Sequence, residues 1–416
     1  MLSSLYSGVT GINAAGYTMS VIGNNIANSN TVGFKAGYAS FADILSQSLG
    51  GVVGGNQIGH GVILTDVGTV FNQGSFENTT NGTDLAIEGA GFFIVADNTG
   101  TYYTRAGNFI IDDEGYLVNP SGFRLQGYAV DATGALVTTM TDINVGQVSS
   151  APNQTSIFRI AANLDGSATT GYQYSTTITV YDSIGEAIPL TITFTKQAGA
   201  NAWDYVASIP DTMGTINPAT TGTGVIEFDT DGNLVSVNGT TNFADVDIFL
   251  ELVAGSGGAD FTVSWDLWDL ATSAPTTDLT GYAAACDTSF LNQDGYAQGS
   301  IQTISVDQDG QIIGLFTNGQ TRTLGQVLLS DFISPWGLIK MGRSLYAESS
   351  TSGQPTIGTP GSGGRGRISA NSLEMSNVDM ASEFVKMITT QRAYQANARV
   401  ITTSDELLSE LMHIKR

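Results

Sequence analysis

The chain has 416 residues, of which 41% are hydrophobic and 13% charged, a composition that buries a core and, at this length, divides it among about two to four domains. Fifteen Lys and Arg stand against 38 Asp and Glu, a net charge of -23, which repels phosphate backbones and anionic lipid and excludes nucleic acid and membrane insertion. One cysteine, Cys286, and two histidines, His60 and His413, exclude a disulfide scaffold and leave little for zinc or acid–base chemistry; no cofactor, metal site or enzymatic activity is expected.

Residues 1–34 contain no Asp, Glu, Lys or Arg, and Lys35 is the first charge. A Sec-type signal needs a basic start, so no cleavable signal peptide is expected, and no run of eighteen apolar residues suggests a transmembrane span. Leu2, Leu5, Val9, Ile12, Met19 and Ile26 follow a three-four spacing, with Gly16 and Gly23 in the open slots, which predicts one amphipathic helix. Asn24, Asn25, Asn28 and Asn30 end it.

Two Gly-rich stretches, Gly50 to Gly61 and Gly353 to Gly366, lie at matching depth from the two ends and read as paired connectors, assigned to 34–75 and 350–368. Between them the pattern is β. Asp-x-x-Gly recurs at Asp97, Asp112, Asp131, Asp182, Asp229 and Asp307, the arrangement a type I turn prefers, because Asp accepts from backbone N–H groups and Gly tolerates positive φ. Flanking runs such as Thr177 to Tyr181 and Leu190 to Phe194 alternate polar and apolar residues, so hairpins and half-buried sheets are expected. Residues 146–285 hold Arg159 and Lys196 as their only basic residues against fifteen acidic ones, which marks them as an inserted acidic domain; 76–145 with 286–349 would form a first β domain.

From about Val378 to His413, Met380, Met387, Tyr394, Ile401 and Leu408 recur every seven residues, with Phe384, Ala398 and Met412 at the alternate positions. The spacing predicts a helix about 50 Å long whose apolar face needs cover along its length. Its natural partner is the N-terminal stripe or the same stripe on another copy. The predicted fold is therefore mainly β with α-helical termini, multidomain, in which 1–33 and 369–416 make a discontinuous, coiled-coil-like helical core.

Candidate chemistry is weak by comparison. Gly361 to Gly366 carries the letters of a dinucleotide loop without the preceding strand. The Asp-rich turns place Gly fourth, where a calcium loop needs it sixth. Cys286, with no histidine close in sequence, reads as a small buried side chain.

Three ordered blocks carry a resemblance. Ser4 to Gly16 followed by Asn24-Asn25-Ile-Ala-Asn28-Ser-Asn-Thr-Val-Gly33-Phe34-Lys35 resembles the N-terminal signature of bacterial flagellar rod and hook axial proteins. Asn371 to Asp379, which includes Asn377, and Gln391-Arg392-Ala-Tyr394-Gln-Ala-Asn397 are similar to the matching C-terminal signature; Gly89 to Val95 with Tyr103 to Phe109 is similar to the first β domain of that family. Length and the inserted domain favour the hook branch over a rod subunit. The resemblance implies an axial subunit that assembles with itself into a hollow bendable tube, a universal joint that passes torque and an export channel. It implies as partners the distal rod protein, the hook cap protein, the hook-filament junction protein, the hook-length control protein and the flagellar type III export apparatus. It places the mature chain outside the cell in the flagellum, with terminal helices uncovered until assembly.

Overall fold

The computed structural model describes residues 2–44, 47–48, 57–131, 134–146, 148–199, 201–216, 222–239, 245–253, 257–269, 274–275 and 278–414. Most of the Gly50 to Gly61 stretch thus lies outside the described residues, as do the side chains of Leu2 and Leu411. Two compact units emerge, one of 1–148 with 302–315 and 321–416, the other of 149–301 with 316–320.

In the first unit, helix α1 spans Leu2–Ala27 and helix α2 spans Met380–Ile414. Asp379 starts α2: its carboxylate accepts from the Ala381 and Ser382 amides, and Glu383 adds an acid to the first turn. After α1, Gly37–Asp43 pairs antiparallel with Val62–Thr69. The β body is one large sheet whose central strands are Arg124–Val130, Phe92–Asp97 and Gly100–Thr104, extended on one side by Thr321–Val327 and on the other by Leu345–Ala347. Over it Phe92, Tyr103, Phe332 and Tyr346 pack with Phe71, mostly edge to face at ring separations of 4.8–5.9 Å.

The second unit is built mainly on two large sheets. Among the described residues, one runs Gln173–Tyr181, Ala187–Lys196, Ala202–Ser208, Thr223–Phe228 and Leu234–Val237, all antiparallel neighbours. The other centres on Ile157–Asn163, which takes Asp287–Gln293 antiparallel and Phe261–Trp265 and Leu279–Thr280 parallel. Inward residues of both, including Phe158, Ile192, Phe194, Trp203, Tyr205, Val263 and Trp265, form one apolar core. Alternation along Ala187–Lys196 is strict, so the polar face is outward as its sequence requires.

The Asp-x-x-Gly turns close hairpins. Gly115, Gly185, Gly232 and Gly310 all have positive φ, and each donates its amide to the carbonyl of the Asp three residues back. Three of the expected boundaries are corrected. Residues 286–301 belong to the second unit, because Asp287–Gln293 is hydrogen-bonded to Ile157–Asn163. The Gly353 to Gly366 stretch is no flexible connector: Thr356–Gly358 pairs with Leu329–Asp331, and Arg365 folds back to donate to the Thr359 carbonyl and the Ser362 hydroxyl. Likewise, much of 34–75 is the ribbon that follows α1.

Cys286 is half-buried in the second unit, where its sulfur accepts the Asp165 amide at 3.2 Å and burial raises its thiol pKa. Asp165 and Asp229 of this unit titrate below their ordinary range, Asp165 through its bond from the Ser167 hydroxyl and Asp229 through the Asn233 amide and side chain. A carboxyl depressed on folding stabilises above its unfolded pKa, and that contribution is lost as the pH falls through the folded value. The midpoint of thermal unfolding, followed by the fluorescence of buried Trp203 and Trp265, is therefore expected to fall on acidification below about pH 4. The slope should flatten in the Asp165→Asn, Asp229→Asn double variant; an unchanged slope contradicts the assignment.

Candidate functional site: the junction of the two chain ends

The residues that the terminal motifs single out converge where α1 and α2 meet the β body. Asn25, 1% exposed at the last turn of α1, donates to the Gly37 carbonyl and accepts the Gly37 amide, both at 2.8 Å, and reaches Glu383 of α2 at 3.2 Å. Its side chain thus mimics a strand partner for the segment after the helix and ties that segment to α2. Asn377 does the same from the other end: it accepts the Ala36 amide and donates to the Val70 and Asn72 carbonyls. Asn28 instead closes the helix end, donating to the Asn24 carbonyl at 2.9 Å and accepting the Thr31 hydroxyl.

Gly33 turns the chain with φ 68°, and any Cβ there would lie 2.4 Å from the Ala106 nitrogen, so both conformation and closeness require glycine. Its amide donates to the Glu374 carbonyl at 2.8 Å. Two residues on, Lys35 points inward. Its ammonium donates to Glu374 Oε1 at 2.5 Å and to the Asn72 carbonyl at 2.9 Å. Arg105 approaches Glu374 Oε2 at 3.3 Å, donates to the Gly89 carbonyl and lies 5.3 Å from the centroid of the Phe92 ring. Lys35 and Glu374 have no exposed side-chain surface, and Arg105 keeps 5%. The Gly74 amide completes the carboxylate's set.

One buried carboxylate therefore serves two buried cations from distant parts of the sequence. Burial draws the Lys35 ammonium below the ordinary lysine range, and Glu374 opposes that pull by charge and hydrogen bond. Burial acts the same way on Arg105, again opposed by Glu374. Arg105 Nε has no hydrogen-bond partner among the described residues, so this guanidinium depends on Glu374 and Gly89. A cleft of 490 Å³ opens beside the cluster, lined by Asn24, Asn28, Phe34, Lys35, Lys340 and Tyr346 among others.

Glu374 and Arg105 were not among the residues singled out from sequence. Lys35 is the first charge after 34 uncharged residues, but a lysine is ordinarily exposed, so its position alone does not announce a buried partner. Gln391 and Arg392 do not join the cluster and lie exposed on α2, while Asn397 lies over Gly11 of α1.

The helices themselves pair along a face one step from the expected one. On α1 the most buried line is Gly8, Ala15, Ile22 and Asn25; Leu5, Ile12, Met19 and Ile26 flank it half-buried, and Val9 is 39% exposed. On α2, Met387, Ile401 and Leu408 are half-buried, but the second line toward α1 consists of Glu383, Thr390, Asn397 and Ser404. Phe384 is 47% exposed and Met412 76%; Met380 and Tyr394 are also exposed, and Ala398 is half-buried. Small residues on α1 decide this. A Cβ on Gly8 would meet Ile401 at 3.0 Å and one on Gly11 would meet Asn397 at 2.6 Å, while the Ser4 and Ser404 hydroxyls lie 3.4 Å apart. Where the partner offers no side-chain bulk, short polar residues fill the seam and the larger apolar ones are left on the flank.

A chain whose two ends form paired helices fastened to one β body is an axial subunit of the flagellar type, and family models match it in chain order. The flagella basal body rod protein model covers 5–35, the flagellar hook protein FlgE/F/G D1 domain 86–167, the flagellar basal body protein FlaE D2 domain 149–296 and the flagellar basal body rod FlgEFG protein C-terminal model 369–414. The flagellar hook protein FlgE of Borreliella burgdorferi is 36% identical and that of Treponema pallidum 35%, each over 100% of both chains. That of Salmonella typhimurium is 34% identical over 99% of this chain and 100% of its own. The chain belongs to the flagellar hook protein family and is a structural subunit of the bacterial flagellar hook; the rod alternative falls away.

Replacing Glu374 by Gln keeps the shape and removes the charge, leaving Lys35 and Arg105 buried with no anion. Loss of one partner from a buried ionic cluster costs about 3–5 kcal/mol. Urea unfolding followed by circular dichroism is expected to show that loss in Glu374→Gln. A loss below about 1 kcal/mol, the size of an exposed pair, contradicts the reading.

Proposed function

We propose that the chain polymerises through its paired terminal helices into the hollow, bendable tube of the hook, which passes motor torque to the filament and gives later subunits a channel. The observation that carries this is the bare face of α2. Phe384, Val385 and Ile388 are all exposed there, on the side away from α1, and a protein does not leave such a helix face in water without a use for it. Trp336, 69% exposed, with Ile333, Ile339 and Met341 around it in sequence, offers a second apolar surface on the β body.

Identical subunits joined by unlike faces propagate an open helix instead of closing into a dimer. Contacts between α-helical faces that exclude water are strong, each buried large apolar side chain contributing about 1.5–3 kcal/mol. Acidic, Thr- and Asn-rich β surfaces give wetter contacts, free to rearrange as the tube bends. In this reading the chain leaves the cell through the flagellar type III export apparatus and adds beneath the hook cap protein. It then stands between the distal rod protein and the hook-filament junction protein, with its final length set by the hook-length control protein.

The test is polymerisation of the purified full chain under precipitating salt, imaged by electron microscopy. The full chain is expected to form curved hollow tubes, and Phe384→Asp and Ile388→Asp, on the exposed face of α2, to abolish them while the β signal in circular dichroism persists. Normal tubes from both variants contradict assembly through α2.

A further inference from the structure

The face of α2 opposite α1 has an ordered charge pattern that the pairing of the two helices leaves unused. Arg392, Arg399 and Glu406 recur at intervals of seven, and Glu410 follows Glu406 by one turn. Seven residues advance an α-helix by nearly two whole turns, so the four lie in one stripe. They face away from the seam of Glu383, Thr390, Asn397 and Ser404. All four are exposed. Among the described residues none of the four side chains makes an ion pair or hydrogen bond, and the one ion pair on α2 joins Lys386 to Glu383.

Geometry explains why they stay unpaired. Arg399 and Glu406 are separated by about 10 Å of helical rise, beyond contact. Glu406 and Glu410 are one turn apart and repel each other. The stripe therefore has a basic segment, a spacer at Thr402 and Thr403, and an acidic segment whose carboxylates meet no cation among the described residues. In a chain of net charge -23, Arg124 and Arg159 of the β strands find carboxylates within the chain, holding two each, whereas the arginines of this stripe do not.

We infer that this stripe sets the axial register between neighbouring copies: Arg392 of one α2 lies against Glu406 and Glu410 of a parallel α2 shifted by about two heptads. The inference rests on the self-assembly reading above and specifies its partner, a second copy of this chain. A shift of 14 residues is about 21 Å of helix axis at 1.5 Å per residue. With no shift, arginines face arginines and glutamates face glutamates, so side-by-side packing in register is repelled. The same arrangement repeats at every subunit, so pairs that are individually weak at a surface select one register along the polymer.

Charge reversal in the full chain tests it. Arg392→Glu and Glu406→Arg, each checked for unchanged circular dichroism, are expected to raise the concentration needed for tube formation about threefold to tenfold at low salt. The double variant Arg392→Glu, Glu406→Arg should restore it, and the difference should vanish above about 0.5 M NaCl as the charges are screened. Single variants that polymerise like the unaltered chain, or a double variant as impaired as the sum of both, overturn the register. A discrete salt-sensitive dimer in place of tubes overturns it too, because an antiparallel pair would satisfy the same charges. If the unaltered chain forms no polymer, the self-assembly reading itself fails and takes the register with it.

Discussion

Glu374 is the constraint on which the rest of the first unit depends. Its carboxylate is fully buried, and it holds Lys35 from the segment after α1 and Arg105 from the β body. Three parts of the chain separated by up to 339 positions thus share one charge centre. A buried ionic group is weak evidence for stability, because desolvation offsets the attraction; its firmer effect is on specificity, since each member is costly to bury without the others. Docking of the chain ends on the β body in another arrangement would leave at least one of these charges buried without its partner.

From that node the helices follow. Asn25 and Asn377 satisfy the backbone of 36–37 and 70–72 from opposite sides, so α1 leaves and α2 enters at a fixed place. Their pairing then needs little more than close approach, which Gly8 and Gly11 allow. The division of labour suits a subunit that transmits torque: one helix face is spent on holding the chain's own ends together, and the other remains for neighbours. Sequence economy is visible in α2, where the inward side joins apolar Met387, Ile401 and Leu408 to a polar line, and the outward side keeps Phe384, Val385 and Ile388 in its first turns and charges farther along.

Much of this was legible in sequence because it is local. The helices were visible from three-four and seven-residue spacing, and the hairpins from Asp-x-x-Gly, since an Asx-type turn needs only its own residues. What failed was non-local. Charge could not show that Asp287–Gln293 pairs with Ile157–Asn163, and composition could not distinguish a flexible Gly-rich tract from one whose glycines take positive φ in a built turn, as Gly361, Gly363 and Gly364 do. Heptad arithmetic gave Met387, Ile401 and Leu408 but not which neighbouring line completes the seam, because glycines on α1 decide that. The pairing of Lys35 with Glu374 was out of reach for the same reason: both letters lie in terminal motifs, and nothing in either motif points to the other.

The most direct measurement is an electron cryomicroscopy reconstruction of tubes formed by the unaltered chain. The account predicts α1 and α2 at the innermost wall, packed through Gly8 and Ile401, with Lys35, Arg105 and Glu374 in contact in every subunit. Helices on the outer surface, or chain ends separated from each other and from the β body, would contradict it.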